Sequence, residues 1–144
     1  FYCAALIINK TGETKISSLG GLRAQLPAFA GFFIWIIMAS IGLPLTSGFP
    51  GEFSLLNALF EYQPILAAIA GTGTILGAVY MLRAYHQMMH GQNKFNVHDI
   101  HQNNKALLAV GSLLILIFGL GPSLLTNVFE STLLDFFSPF SKLQ

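Results

Sequence analysis

Apolar residues dominate three long stretches of the chain, and charge is confined to the segments between them. No Asp, Glu, Lys, Arg or His occurs in residues 24–51, 62–82 or 106–129. A helix rises about 1.5 Å per residue, so roughly 20 apolar residues cross a hydrocarbon core of about 30 Å. Each stretch is long enough to span. Leu, Ile, Ala and Phe recur in them without period-2 alternation, which argues against a lipid-embedded barrel. Helices satisfy their own backbone where no water is present. The pattern therefore predicts an all-α, polytopic transmembrane protein with about three spans.

Local signals set the boundaries. Residues 1–8 read as the end of a helix whose beginning is missing. With Phe1 in place of Met, the expectation is the C-terminal piece of a longer protein. Without a basic leader or a small-residue cleavage site, a secretory precursor is not expected. Residues 9–26 form a polar connector carrying Lys10, Glu13, Lys15 and Arg23. Pro27 suits the first turn of a helix, where its missing N–H costs nothing. The span from 27 to 62 is interrupted between Gly42 and Gly51, where two prolines and three glycines fall within ten residues. Pro44, Gly48, Pro50 and Gly51 mark this as a helix break, with a second half-helix running from about Pro50 to Tyr62. A further span covers 64–90, a polar loop covers 92–105, and the last span covers 106–127, with Gly119, Gly121 and Pro122 placed to bend or shorten it. The tail, 128–144, spaces Phe129, Leu133, Phe136, Phe137 and Phe140 at roughly helical intervals and reads as an interfacial C-terminal helix.

Charge placement bears on the broken span. If it crosses once, Lys10, Lys15, Arg23, Arg83, Lys94 and Lys105 share one side. Glu61, Glu130 and Asp135 then lie opposite with Lys142 alone. Two crossings would split the basic residues. By the positive-inside rule one crossing is preferred, with the C-terminus on the outer side of a membrane, expected to be a bacterial inner membrane.

Composition agrees: 53% of residues are hydrophobic and 9% charged, against about 25% charged in soluble domains. Cys3 is the only cysteine, so neither a disulfide framework nor a Cys-held metal or iron–sulfur site is expected. No Lys/Arg block suggests nucleic acid. Gly71, Gly73 and Gly77 superficially resemble a dinucleotide loop, but they lie inside a span with no strand before them. Gly73 and Gly77 suit close helix packing instead. His86 and His90 share a helical face but lack the glutamate of a zinc-protease helix, so no metal site is expected. Arg83 is expected to reach toward the interface.

One residue breaks the pattern. Glu52 sits just past the break, far from either edge of its span. An acidic side chain at that depth costs at least about 2.5–3.5 kcal/mol on insertion scales. A carboxyl removed from water exchanges its proton under the control of its neighbours, and interrupted helices are how many transporters build ion sites. The competing reading is simple capping: an acid in the first turn of the second half-helix is stabilised by its free N–H groups.

The residues Leu19-Gly20-Gly21-Leu22, Leu26-Pro27-Ala28, Ala39-Ser40-Ile41-Gly42-Leu43-Pro44 and Ser47-Gly48-Phe49-Pro50-Gly51-Glu52-Phe53 closely resemble the C-terminal part of the antiporter-like subunits of respiratory complex I. The M-type subunit, chain 4 in mitochondria, is the nearest match. Tyr80-Met81-Leu82-Arg83-Ala84-Tyr85 and Gly91 extend the resemblance over nearly the whole chain. It implies a subunit of fourteen helices, of which this chain holds the last three and the end of a fourth. It implies that Glu52 is the ionisable residue of a broken helix on a proton pathway. It also implies that NADH, flavin, iron–sulfur clusters and quinone are handled by other subunits, and that the chain's partners are the other membrane subunits of complex I and the lipid bilayer. The sequence departs from the family pattern at Leu45, where a Gly often follows the Pro, at Pro50, where Val is common, and at His90, where an aromatic precedes the Gly. Multisubunit cation/proton antiporters and membrane-bound hydrogenases share the Pro/Gly break and stand as alternatives, as does a structural fragment without a pathway of its own.

Overall fold

Local chemistry explains where each helix of the computed structural model starts and stops. Residues 1–92 and 95–123 are described; the expected interfacial tail lies outside them. Helix α1 covers Tyr2–Thr11 and ends where Gly12 turns left-handed, at φ 73°, and donates its N–H to Ile8 O at 2.7 Å. The helix thus runs beyond residue 8, because a glycine able to close the last turn comes only at position 12. A 3-10 turn at Ile16–Ser18 and the short helix α2, Leu22–Gln25, order the connector. Helices α3, Pro27–Ser40, and α5, Pro64–Met89, both carry proline in their first turn, where no intrahelical donor is lost. Between them lies α4, Gly48–Tyr62. Helix α6 covers Gln102–Leu120. Among the described residues, α5 and α6 are each long and apolar enough to cross a membrane, while α3 is a shorter apolar helix.

The polar contacts fix the directions. Tyr85, near the end of α5, donates its hydroxyl proton to Ala30 O near the start of α3, at 3.2 Å. Helix α5 therefore runs antiparallel to α3. It also runs antiparallel to α4, from which only Gln63 separates it. The two half-helices α3 and α4 accordingly point the same way. Helix α6 runs parallel to α3: its start is tied to the start of α3 through Asp99, and Gly119 near its end meets the segment after α3.

Packing is uneven along the bundle. Leu22, Leu26, Phe29 and Met89 are each 1% exposed and lie together with Leu6, Ile7, Ile100 and Leu108 in a core at the connector end. Phe29 stacks on Phe33 at 5.4 Å between centroids, and Phe33 meets Tyr85 at 5.8 Å. Helix α4 buries no residue fully, and Phe53, Leu55, Ile65, Ile69 and Leu76 are exposed on α4 and α5. Gly73, expected to admit a neighbouring helix, meets nothing within 4 Å, and Gly77 meets only Tyr80 of its own helix. Among the described residues, no helix uses that stripe.

The connector end is held by polar staples. Gly21 N–H donates to His90 O at 3.0 Å, and the Gln25 amide bonds both Phe95 O and Val97 N–H. Asp99 accepts from Ile100 N–H at 2.8 Å and Ala28 N–H at 3.4 Å and pairs with Lys105 at 3.2 Å, while Lys10 reaches Asp99 O at 3.4 Å. Burial alone raises a carboxyl's pKa. Here it is outweighed by the Ile100 N–H, the Lys105 ammonium and the Ala28 N–H, which together hold Asp99 below the usual carboxylate range. Lys10, Arg23 and Lys105 thus gather at one end, and Glu61 stands in the last turn of α4 at the other.

The Asp99 staple has a defined pH range. A carboxyl whose folded pKa is depressed adds stability above its unfolded value, about 3.9, and loses it as pH falls through the lower folded value. Protection of the Ala28 and Ile100 amides, measured against their intrinsic exchange rates at each pH, is expected to hold from neutrality down to about pH 4 and to fall in stronger acid. Asp99→Ala is expected to quicken both amides at neutral pH by about tenfold, as befits loss of a charged hydrogen-bond acceptor. Exchange measured by mass spectrometry in lipid nanodiscs checks both outcomes.

Candidate functional site

The site begins where the ladder of α3 runs out. Ile41 N–H still bonds Ile37 O at 3.0 Å, Gly42 N–H bonds Ala39 O at 3.2 Å, and Leu43 N–H reaches back to Met38 O at 3.2 Å. Pro44 has no N–H to continue and its ring opposes the preceding turn. Residues 41–47 therefore leave the helix. Thr46, fully buried at 0% exposure, closes the loop: its N–H and its hydroxyl both donate to Leu43 O, at 3.0 and 2.6 Å. Thr46 O in turn accepts Phe49 N–H at 3.2 Å, which starts α4. The gap in the helix is thus bonded by its own atoms.

Of the four residues read from the sequence as the break, only Pro44 stands in it. Gly48, Pro50 and Gly51 form the first turn of α4. The proline is tolerated there because the first four N–H groups of a helix have no intrahelical partner. Gly48 allows the early start, since a Cβ built on it would lie 2.8 Å from Ala39 O. Glu52 is consequently the fifth residue of α4, and the first turn holds no acid. That removes the geometry the capping reading required.

Glu52 is half-buried, and its carboxyl lies against the Cα of Gly42. A Cβ built on Gly42 would overlap Oε2 and stand 2.8 Å from Cδ. Gly42 also has φ 75°, a conformation that costs other residues about 1–2 kcal/mol. The positive φ calls for glycine here, while the contact shows only how near the flexible end of the Glu52 side chain comes to Gly42. Among the described residues, no cation pairs with Glu52. The carboxyl is seated on backbone, beside the interruption, with no fixed counter-charge from those residues.

Two further features were not legible as parts of the site. Leu45, the single non-glycine with positive φ among the described residues, has φ 78° with its side chain exposed. The family's usual glycine at this position was the available signal. Gly119 on α6 abuts the backbone of Leu45 and Thr46, where the sequence suggested only a bend. At the opposite end, Arg23 Nη1 lies 3.3 Å from His90 Nε2, and the His86 and His90 rings stack at 4.9 Å. That arrangement puts a guanidinium beside the His90 nitrogen. Arg83 is exposed.

Comparison with known proteins places these features in context. The family described as NADH:quinone oxidoreductase/Mrp antiporter, TM, matches residues 1–77. NADH-quinone oxidoreductase subunit M of Rickettsia felis is 40% identical over 146 residues, covering 93% of this chain and 30% of that protein. The subunit M of Rhodobacter capsulatus is 34% identical over 89% of this chain and 26% of its own length. NADH-ubiquinone oxidoreductase chain 4 of Marchantia polymorpha is 33% identical over 67% of this chain and 19% of its own length. Among solved structures, a chain of respiratory complex I from Thermus thermophilus with bound NADH superposes with a TM-score of 0.79 at 30% identity, over 86% of this chain and 27% of that one. The chain spans less than a third of the length of these relatives.

Backbone strain around the carboxyl gives opposite expectations at two positions. Gly42→Ala is expected to destabilise by about 1–2 kcal/mol, the left-handed cost, with the methyl turning the end of the Glu52 side chain aside. Leu45→Gly relieves the same conformation, offset by the freedom glycine loses, for a net gain of about 0.5–1 kcal/mol. Thermal unfolding of the full-length subunit in its assembled membrane complex, with Gly31→Ala as the unstrained control, measures both.

Proposed function

Because this chain belongs to the NADH:quinone oxidoreductase/Mrp antiporter transmembrane family, we propose that it is part of the proton-translocating membrane subunit of an NADH:quinone oxidoreductase. The subunit M and chain 4 relatives support this assignment. Electron transfer from NADH to quinone takes place in partner subunits, and this chain contributes to moving protons in response. The membrane is a bacterial inner membrane, with the basic connector end on the cytoplasmic face and the C-terminus outside, in keeping with Lys10, Arg23 and Lys105 gathering at one end.

The observation that carries the reading is the Glu52 carboxyl, half-buried on the Cα of Gly42 beside the interrupted helix. An acid held there without a fixed counter-charge is sensitive to any charge that approaches or leaves. In the loaded state the carboxyl is neutral and compatible with an apolar setting. When a cationic partner from the rest of the protein advances, the carboxylate is favoured and a proton leaves; when it withdraws, a proton enters. Redox energy then needs only to move charge nearby; it need not touch the carboxyl chemically. A second reading, a subunit of a multisubunit cation/proton antiporter, is favoured only by the breadth of the family description and uses the same carboxyl.

Glu52→Gln in the full-length subunit of an assembled complex is expected to cut NADH-driven proton uptake by inside-out vesicles to about a tenth or less, as loss of a proton-transfer group does. Quinone reduction falls with it. Glu52→Asp retains an acid and is expected to be milder. Wild-type pumping and turnover in the Gln variant, at normal complex content, would overturn the role.

A further inference from the structure

Helix α6 carries no acid or base in residues 106–120, so proton chemistry gives it no evident part. Its geometry does. A Cβ built on Gly119 would overlap Leu45 O and stand 2.5 Å from Thr46 C and 2.6 Å from Leu45 C. Every one of these atoms is backbone, which cannot swing aside as a flexible side chain can. On the same helix, a Cβ on Gly111 would meet nothing within 4 Å. The close approach is thus local to Gly119.

The atoms that Gly119 presses lead directly to the carboxyl. Leu45 and Thr46 are bound to Leu43 O through the Thr46 N–H and hydroxyl, and Leu43 is bound to Met38 O on α3. Thr46 O accepts Phe49 N–H in the first turn of α4, and Glu52 follows one turn later against Gly42. A shift of Leu45–Thr46 away from α6 is therefore a shift of the α4 start relative to the end of α3. That is the motion that opens or closes the space between the Glu52 carboxyl and Gly42.

We propose that Gly119 is a positioning residue for Glu52: by letting α6 press on the Leu45–Thr46 backbone, it sets how closely the carboxyl is held to Gly42. The inference rests on Glu52 being the proton-carrying group. It makes α6 the abutment of the broken helix, and movement of α6 a way to alter the carboxyl's surroundings without any charged group in residues 106–120.

The test uses the full-length subunit in its assembled complex, with Gly119→Ala, Gly111→Ala as the same-helix control, and Gly119→Ala combined with Glu52→Gln. Gly119→Ala is expected to lower proton pumping by about tenfold, within the range for a displaced reacting group, and to displace the pH profile of NADH:quinone turnover. Gly111→Ala leaves both unchanged. Adding Gly119→Ala to Glu52→Gln produces no further loss, because the two act through one group. A wild-type pH profile and normal pumping in Gly119→Ala, or full additivity with Glu52→Gln, would overturn the proposal. Should Gly119→Ala not assemble, Leu45→Gly/Gly119→Ala gives the loop freedom to re-seat; assembly with a displaced pH profile supports the proposal, and failure to assemble counts against it as mere packing. A silent Glu52→Gln alongside a defective Gly119→Ala would remove the role of Glu52 itself, whereas a defective Glu52→Gln alongside a silent Gly119→Ala removes only the role of Gly119.

Discussion

Inside a bilayer a backbone N–H or C=O has no water to turn to, and a helix interrupted there must bond its loose ends with its own atoms. The site depends on how the chain meets that constraint. Pro44 ends the α3 ladder. Leu43 O would be left over, and it instead receives two donors from Thr46, whose own carbonyl begins α4. Thr46 does this without any exposure. A residue without a hydroxyl would leave Leu43 O with one donor fewer. The break is consequently a small rigid turn, and a rigid turn can place a carboxyl reproducibly where a flexible gap would let it wander.

The same constraint explains why glycine appears wherever the turn meets its neighbours. Within lipid, helices gain little from the hydrophobic effect on meeting one another, and close packing of small residues replaces it. Gly48 lies against Ala39 O, Gly42 against the Glu52 carboxyl, and Gly119 against Leu45 and Thr46. The bundle therefore has two regimes. At the connector end, where water is near, it is secured by buried Leu, Phe and Met and by the Asp99 and Gln25 bonds. Around the break it is secured by backbone-to-backbone proximity. The first regime anchors; the second positions.

Much of the fold was legible because spans, breaks and proline starts are local. Charge-free runs pointed to the apolar spans, and Pro27 was suited to the first turn of a helix; α3 begins at Pro27 and α5 at Pro64. The Pro/Gly cluster gave an interruption, but its extent came out differently: Gly48, Pro50 and Gly51 are helical, since a proline within the first turn forfeits nothing and Gly48 alone can pass Ala39 O. What was not legible depends on partners distant in sequence. Nothing near residue 119 announces that its Cα meets residue 45, and nothing near residue 99 announces that its carboxylate will hold Ala28 and Lys105. Gly42 was visible as a helix breaker. Its second duty, as the seat of a carboxyl ten residues on, required the coordinates.

Leu45 shows how a departure from a family pattern is absorbed. The turn needs a left-handed residue at this point whichever side chain is present, because only then can Thr46 come round to donate twice to Leu43 O. Glycine would adopt that conformation freely, while Leu pays for it with about 1–2 kcal/mol. The side chain itself is exposed at 59%, so the burden falls on the backbone alone and the packing around Glu52 is untouched. Pressure from α6 at Gly119 and the two Thr46 bonds hold the residue in place despite it. Leu45 therefore raises the energy of the break through its backbone, with its side chain clear of the carboxyl's seat. The carboxyl depends on the shape of the break, which the Thr46 bonds and the backbone contact at Gly119 define.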